Sequence, residues 1–194
     1  MGFQEYIVAT AVPYVQSLLD SNKIDLKIVN QRQTKHGDFR RLPSGKMTIT
    51  VNNNLNPNQF LITLVHEIAH YMTFQKFGRV KPHGLEWKTT FRDLMLPLLR
   101  PDVFPSHVLG PLALHLKNPK ASTDSDPKLS LVLKNNEAKE GTIFVHQMEI
   151  GACFMYRNQQ FKRGKLRRTR IECLNLENKK LYLFHQNAEV ELLS

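Results

Sequence analysis

Two histidines and a glutamate inside one apolar stretch, His66-Glu67-Ile68-Ala69-His70, constrain this chain more than anything else in its 194 residues. Four residues apart, His66 and His70 lie on one face of a helix, one turn from each other. Both imidazoles can then reach one Zn²⁺ at about 2.0–2.1 Å, with Glu67 beside them facing water held by the ion. Zinc lowers the pKa of such water toward about 7, and a neighbouring carboxylate can take its proton. The alternative is a pair of core histidines and a glutamate that escapes to the surface.

The flanking residues favour the metal reading. Asn56-Pro57-Asn58-Gln59 supplies an N-cap, a proline at the first helical position and a capping-box glutamine. From Phe60 to Phe77 the pattern is apolar nearly all round, which predicts a buried helix. Glu67 is the only carboxylate between Asp38 and Glu86. An ionised carboxylate is costly to bury unless it is paired or placed beside a metal. Catalytic zinc usually takes three protein ligands and keeps one open position. His83 stands in a Pro/Gly-flanked turn, Pro82-His83-Gly84, just before a second helical pattern over Leu85–Leu96. A reversal there brings it back beside the first helix as the third ligand.

The run His66-Glu67-Ile68-Ala69-His70, then Phe77-Gly78-Arg79-Val80-Lys81-Pro82-His83-Gly84-Leu85-Glu86-Trp87, resembles the SprT-like zinc metallopeptidase family, which includes the eukaryotic protease Spartan. The resemblance covers roughly residues 1–115, and its specific part is 60–91. In that family the third zinc ligand is the histidine of a His-Gly-x-x-[Trp/Phe] element, here His83. The resemblance implies one Zn²⁺ per chain, Glu67 as the catalytic base and a zincin-like core. It also implies an edge strand that holds extended substrate by main-chain hydrogen bonds.

Taken in order, residues 3–19 carry apolar residues at helical spacing, with Pro13 predicting a kink or a restart. Leu26–Val29 reads as a short strand, and the basic, Gly/Pro/Ser-broken segment 32–46 as a hairpin or loop. Met47–Val51 alternates as a half-buried strand does, either the substrate-holding edge or an internal strand. Pro97 and Pro101 stop the second helix, and Val108–Leu116 predicts another. Residues 118–128 are polar, with two prolines and no apolar period, and read as a linker. The expected fold is thus α+β. A helical zincin-like metallopeptidase core (1–117) carries a short sheet beside the active-site helix, and a small antiparallel β module (129–194) follows.

The module is expected to place strands at Leu129–Leu133, Thr142–Val145, Ala152–Tyr156, Arg170–Leu174 and Leu181–Phe184, with turns at 158–160 and 177–179. Many SprT-like proteins end in a four-cysteine zinc ribbon. This chain has only Cys153 and Cys173, which departs from that pattern and is expected to leave the module metal-free, as a relic of the ribbon or an unrelated fold. Seven cations fall within fourteen residues: Arg157, Lys162, Arg163, Lys165, Arg167, Arg168 and Arg170, with Tyr156 and Phe161 nearby to stack on bases. With a net charge of +10, the cluster points to DNA or another polyanion as partner; the alternative is a solvated strand face. His36, His107, His115, His146 and His185 lack ligand spacing and read as structural.

No apolar run approaches the roughly eighteen residues of a membrane span. The first residues lack the basic region of a signal peptide, and two cysteines suit a reducing, cytoplasmic setting. The function that follows is a zinc-dependent endopeptidase acting on protein substrates, DNA-associated ones by resemblance to Spartan. The alternatives are a nucleic-acid-binding module with a structural or non-proteolytic zinc, and a zinc hydrolase of other substrates. Tyr71, beside His70, is the one candidate for stabilising the oxyanion.

Overall fold

The computed structural model describes residues 2–134, 141–168 and 170–193. The chain divides into two compact units, Met1–Thr123 and Asp124–Ser194, each with its own sheet. Five α-helices and two sheets among the described residues make it a mixed α+β protein.

In the first unit, two 3₁₀ turns, Phe3–Tyr6 and Ala9–Ala11, precede helix α1 (Val12–Ser21). Pro13 sits in the first turn of α1, so it marks a restart and not a kink. Its fixed φ and missing N–H are tolerated at a helix start. Strands β1 (Asp25–Val29), β2 (Gly37–Arg41) and β3 (Met47–Asn52) form a sheet in the order β1-β3-β2. β1 runs parallel to β3 and β2 antiparallel to it. The edge role considered for Met47–Val51 is therefore wrong: β3 is central, hydrogen-bonded on both sides. Ile49 and Val51 are buried on one face of it, Thr48 and Asn52 on the other. Alternation of side chains cannot say which strands flank a strand, and the edges of this sheet are β1 and β2.

Helix α2 (Pro57–Phe77) packs on β2 and β3. Asn56 Oδ1 caps it by accepting from the Gln59 amide at 2.9 Å, and Gly78, with φ of 68°, ends it. Its middle is buried nearly all round, with Phe60, Leu64, Val65, Ile68 and Ala69 fully enclosed. After a short turn the chain reverses into α3 (Leu85–Met95), which lies against α2. Helix α4 (Ser106–Lys117) follows.

The second unit opens with a helix where the sequence pattern predicts a strand. Residues Leu129–Leu133 lie in α5 (Pro127–Lys134), which begins inside the segment read as linker. Asp126 caps it: its Oδ1 accepts from the Leu129 amide at 3.3 Å and its carbonyl from Ser130 at 2.8 Å. The run Leu-Ser-Leu-Val-Leu fits a period of two and a helical stripe equally well, and here Leu129 and Leu133, four apart, are the buried pair. The Asp-Pro step before them is the start signal that settles it as a helix. Six antiparallel strands complete the unit: β4 (Thr142–Phe144), β5 (Cys153–Tyr156), β6 (Gln159–Arg167), β7 (Arg170–Asn175), β8 (Leu181–His185) and β9 (Glu189–Leu192). Their order is β4-β9-β5-β6-β7-β8. Strands β6 and β9 are additions to the expected set, because in β6 long cationic side chains hide the alternation. Phe161 nevertheless points inward and joins Phe154, Ile171, Cys173, Phe184 and Val190 in the core. The first turn sits at Arg157-Asn158, with both φ angles positive, as a two-residue hairpin loop requires.

Candidate metal centre

His66 and His70 stack one turn apart on α2, and the turn before α3 brings His83 against them. The three Nε2 atoms lie 3.1 Å (His66–His70), 3.0 Å (His70–His83) and 3.3 Å (His66–His83) apart. His83 adopts a left-handed backbone, φ 56°. The turn closes with the Gly84 amide donating to the Lys81 carbonyl at 2.9 Å. A β-carbon on residue 84 would meet that carbonyl at 2.9 Å, so the reversal that aims His83 requires glycine next to it.

Trp87 forms the floor. Its ring lies 4.6, 5.1 and 4.7 Å from those of His66, His70 and His83, and it stacks on Phe91 at 5.0 Å. Sequence periodicity marks Trp87 only as a core position of α3. Its contact with all three imidazoles depends on how α3 packs on α2.

Burial pushes the histidines down in pKa: His66 well below the ordinary value, His70 to about 4, and His83 lower as well, helped by the Lys88 charge. All three are therefore neutral near pH 7, the state in which imidazole binds a metal. Three neutral imidazoles facing one another satisfy each other only in part, since each nitrogen either donates or accepts. Two nitrogens on one tetrahedral zinc would stand roughly 3.3 Å apart, close to the observed spacings. The group fits a metal ion, and it is the one such His/Cys/Asp/Glu group among the described residues.

Glu67 is 7 % exposed and lies against β2. Burial pushes its carboxyl up to about 8, and Asp38 adds to this; a hydrogen bond from the Phe39 backbone amide and the charges of Arg32 and Lys35 pull the other way. Tyr71 is not placed to stabilise an oxyanion. Its hydroxyl donates to the Asn22 carbonyl at 2.8 Å and accepts from Gln75 Nε2 at 3.0 Å, tying α2 to the end of α1.

The seven cations of the second unit do not form one patch. Lys162, Arg163, Lys165 and Arg167 lie along β6. Arg168 sits in the turn after β6, Arg170 opens β7, and Arg157 is in the turn at the other end of β6. A nine-residue strand spans about 30 Å. Arg163 stands opposite the buried Cys173, and Arg167 pairs with Glu172 at 3.3 Å, so the run is not wholly unopposed. Phe161 is a core residue and cannot stack on a base, while Tyr156 packs on Phe184 with Arg157 over its ring. Both cysteines are unpaired, Cys173 buried and Cys153 half-buried.

Among known families, the SprT-like model matches residues 11–103. Curated relatives named Protein SprT match over short stretches. The Actinobacillus succinogenes protein is 48% identical over 40 residues, 20% of this chain and 24% of the relative. That of Vibrio parahaemolyticus is 53% identical over 34 residues, 17% and 21% of the two chains. That of Pasteurella multocida is 55% identical over 29 residues, 15% and 18%. The aligned part of this chain thus spans about a quarter or less of each of these relatives.

Proposed function

Because residues 11–103 belong to the SprT-like family, we propose that this chain is a zinc-dependent endopeptidase with a zincin-like core, its zinc held by His66, His70 and His83. The observation that carries this reading is the convergence of the three Nε2 atoms, with the buried Glu67 next in sequence to the first of them. A zinc ion bound there would activate water and polarise the scissile carbonyl. Glu67 accepts the proton of the attacking water and passes it to the leaving amine. Burial raises its basicity, and the charge of a bound zinc would return it to the ionised form that can accept a proton near neutral pH.

The free edge of β2 offers a place for an extended substrate. Residues 36 and 42 bond to β3 through His36 O (from Asn52 N, 2.9 Å) and Leu42 N (to Lys46 O, 2.7 Å). In an antiparallel ladder the odd-numbered positions between them then turn their N–H and C=O groups outward. Gly37 and Arg41 can thus pair with a substrate strand, while the Phe39 amide is taken by Glu67. The substrate-holding role that the resemblance implies, considered for Met47–Val51, passes to β2.

The cations of β6, β7 and their turns would hold DNA or another polyanion by its phosphates, which makes DNA-associated proteins the proposed substrates. Two unpaired cysteines suit a reducing, cytoplasmic setting, and no helix among the described residues is long and apolar enough to cross a membrane. The test is cleavage of an unfolded protein by zinc-loaded chain, with and without DNA, against Glu67→Gln. Equal cleavage by wild type and variant would remove the protease reading.

A further inference from the structure

Beside His83 lies a cleft of about 440 Å³ that the chemistry above does not use. It runs between α3 and the end of α4, wholly within the first unit. Four cations line it: Lys81 from the turn before α3, Lys88 and Arg92 from α3, and Lys117 from the last turn of α4. A spacing of four puts Lys88 and Arg92 on one face of their helix. Among the described residues no carboxylate lines the cleft; Glu86 and Asp93, the acidic residues of α3, lie outside its lining. Asp93 stands 4.0 Å from Arg92 Nε, at the outer limit of an ion pair.

The donors of this cleft are open to a ligand. Lys81, Arg92 and Lys117 are exposed, and Lys88 is half-buried. Lys88 Nζ donates to Asn118 Oδ1 at 2.6 Å, and both residues belong to the lining, so this ammonium is held where α3 meets the end of α4. An ammonium has three donors, which leaves two for an occupant. The start of α3 also lies in the lining. Its N-cap, Gly84, has no side chain to cap it, so the positive end of the helix dipole adds to the field. Like charges gathered around one concavity repel, and an anion between them relieves that cost.

Two observations choose among anions. His83 is part of the lining, so the occupant sits beside the proposed scissile bond, where the side chains of a bound peptide pass. Leu85 and Pro119 give the cleft apolar wall for a methylene stem. Apart from the His83 imidazole no aromatic ring lines it, so the bases of a nucleic acid have nothing to stack on. We propose that this cleft is a substrate subsite for an acidic side chain, glutamate or aspartate, of the protein being cleaved, with Lys88 and Arg92 as its specificity residues. This rests on the protease reading above and adds to it a charge preference beside the scissile bond.

The experiment uses zinc-loaded full chain and a peptide set identical but for one residue, Glu, Gln or Lys, moved through each position around one scissile bond. At one position Glu should exceed Gln about ten-fold in kcat/KM, and Lys should be poorest. Raising the salt should narrow the Glu-to-Gln ratio, because exposed charges are screened. Lys88→Gln combined with Arg92→Gln, zinc content intact, should bring that ratio close to one and leave cleavage of the Gln peptide as in wild type. Lys88→Glu combined with Arg92→Glu should reverse the order, so that Lys leads. No preference at any position, or one that survives the paired Gln changes, overturns the subsite. So does a paired Gln variant that loses affinity for duplex DNA with its peptide ratio unchanged, which would make the cleft a nucleic-acid contact. Should wild type cleave none of the peptides, the protease reading fails separately. Equilibrium binding of labelled Glu and Gln peptides to the zinc-loaded Glu67→Gln chain then decides the cleft alone: equal binding, or none, overturns it.

Discussion

Gly37 and Glu67 approach so closely that a β-carbon on residue 37 would lie 2.7 Å from Glu67 Oε1 and 2.8 Å from its Cγ. The same β-carbon would meet Thr63 Cγ2 at 2.7 Å. The backbone of β2 is thus the wall against which the candidate base rests, and only a residue without a side chain permits that wall to stand so near. Gly37→Ala should leave zinc content unchanged, since no ligand moves. It should lower kcat about 10²-fold by displacing the carboxylate on the order of 1 Å. Zinc analysis with steady-state kinetics checks this; a normal kcat would show that Glu67 does not need this wall.

Glu67→Gln should retain zinc and lose about 10²–10⁴-fold in proteolysis, the usual loss on removing a general base. A pH effect on stability goes with it in metal-free protein. The folded-state pKa of Glu67, about 8, lies above its ordinary 4.5. Between these values the folded chain keeps a proton that the unfolded chain has released, so stability falls as pH rises through the window and stays reduced above it. A shift of this size corresponds to an upper bound on the order of 3–5 kcal/mol. Metal-free Glu67→Gln should therefore melt well above wild type at pH 8.5, and the difference should shrink toward nothing near pH 4. Equal melting at pH 8.5 would refute the buried carboxylate.

His83→Ala should sharply reduce zinc occupancy, because two histidines on one helix hold zinc weakly without the third. Wild type should keep its metal on mild acidification. Burial holds His70 at about 4, so protons compete for it only as the pH nears that value, and not near 6.5. Metal analysis after dialysis at a series of pH values tests both statements. Full occupancy in His83→Ala would take His83 out of the ligand set.

For the polyanion, Arg167, Arg168 and Arg170 changed together to Ala should weaken DNA binding regardless of sequence. The slope of log K against log salt should become shallower by about 0.9 for each phosphate of duplex DNA that the variant no longer neutralises. Arg167 already pairs with Glu172 at 3.3 Å, so its share should be the smallest. Titrations at two salt concentrations decide; identical affinities and slopes would make the hairpin a solvated face.

Much of the site is written locally in the chain. Asn56 and Pro57 fix where α2 begins, Gly78 where it ends, and the four-residue spacing of His66 and His70 places them on one face, all through interactions within a turn or two. Gly84 next to His83 likewise marks a tight reversal. Such rules reach only a few residues, which is why they locate the ligands and the helix with little ambiguity. Where local signals conflict, as in Leu129–Leu133, periodicity alone cannot choose between strand and helix.

What tertiary structure decided were the relations between residues far apart in sequence. Strand order depends on which segments pair, so the alternation of Met47–Val51 could not reveal that β3 is central and β2 an edge. The approach of Gly37 to Glu67 joins residues thirty positions apart and follows from that order. Trp87 under three imidazoles follows from the packing of α3 on α2. The cationic run reads as a single patch in sequence because sequence distance ignores direction; on a strand, successive side chains take opposite faces and the two end turns lie far apart. Local chemistry chose the residues of the site, and the pairing of distant segments chose what surrounds them.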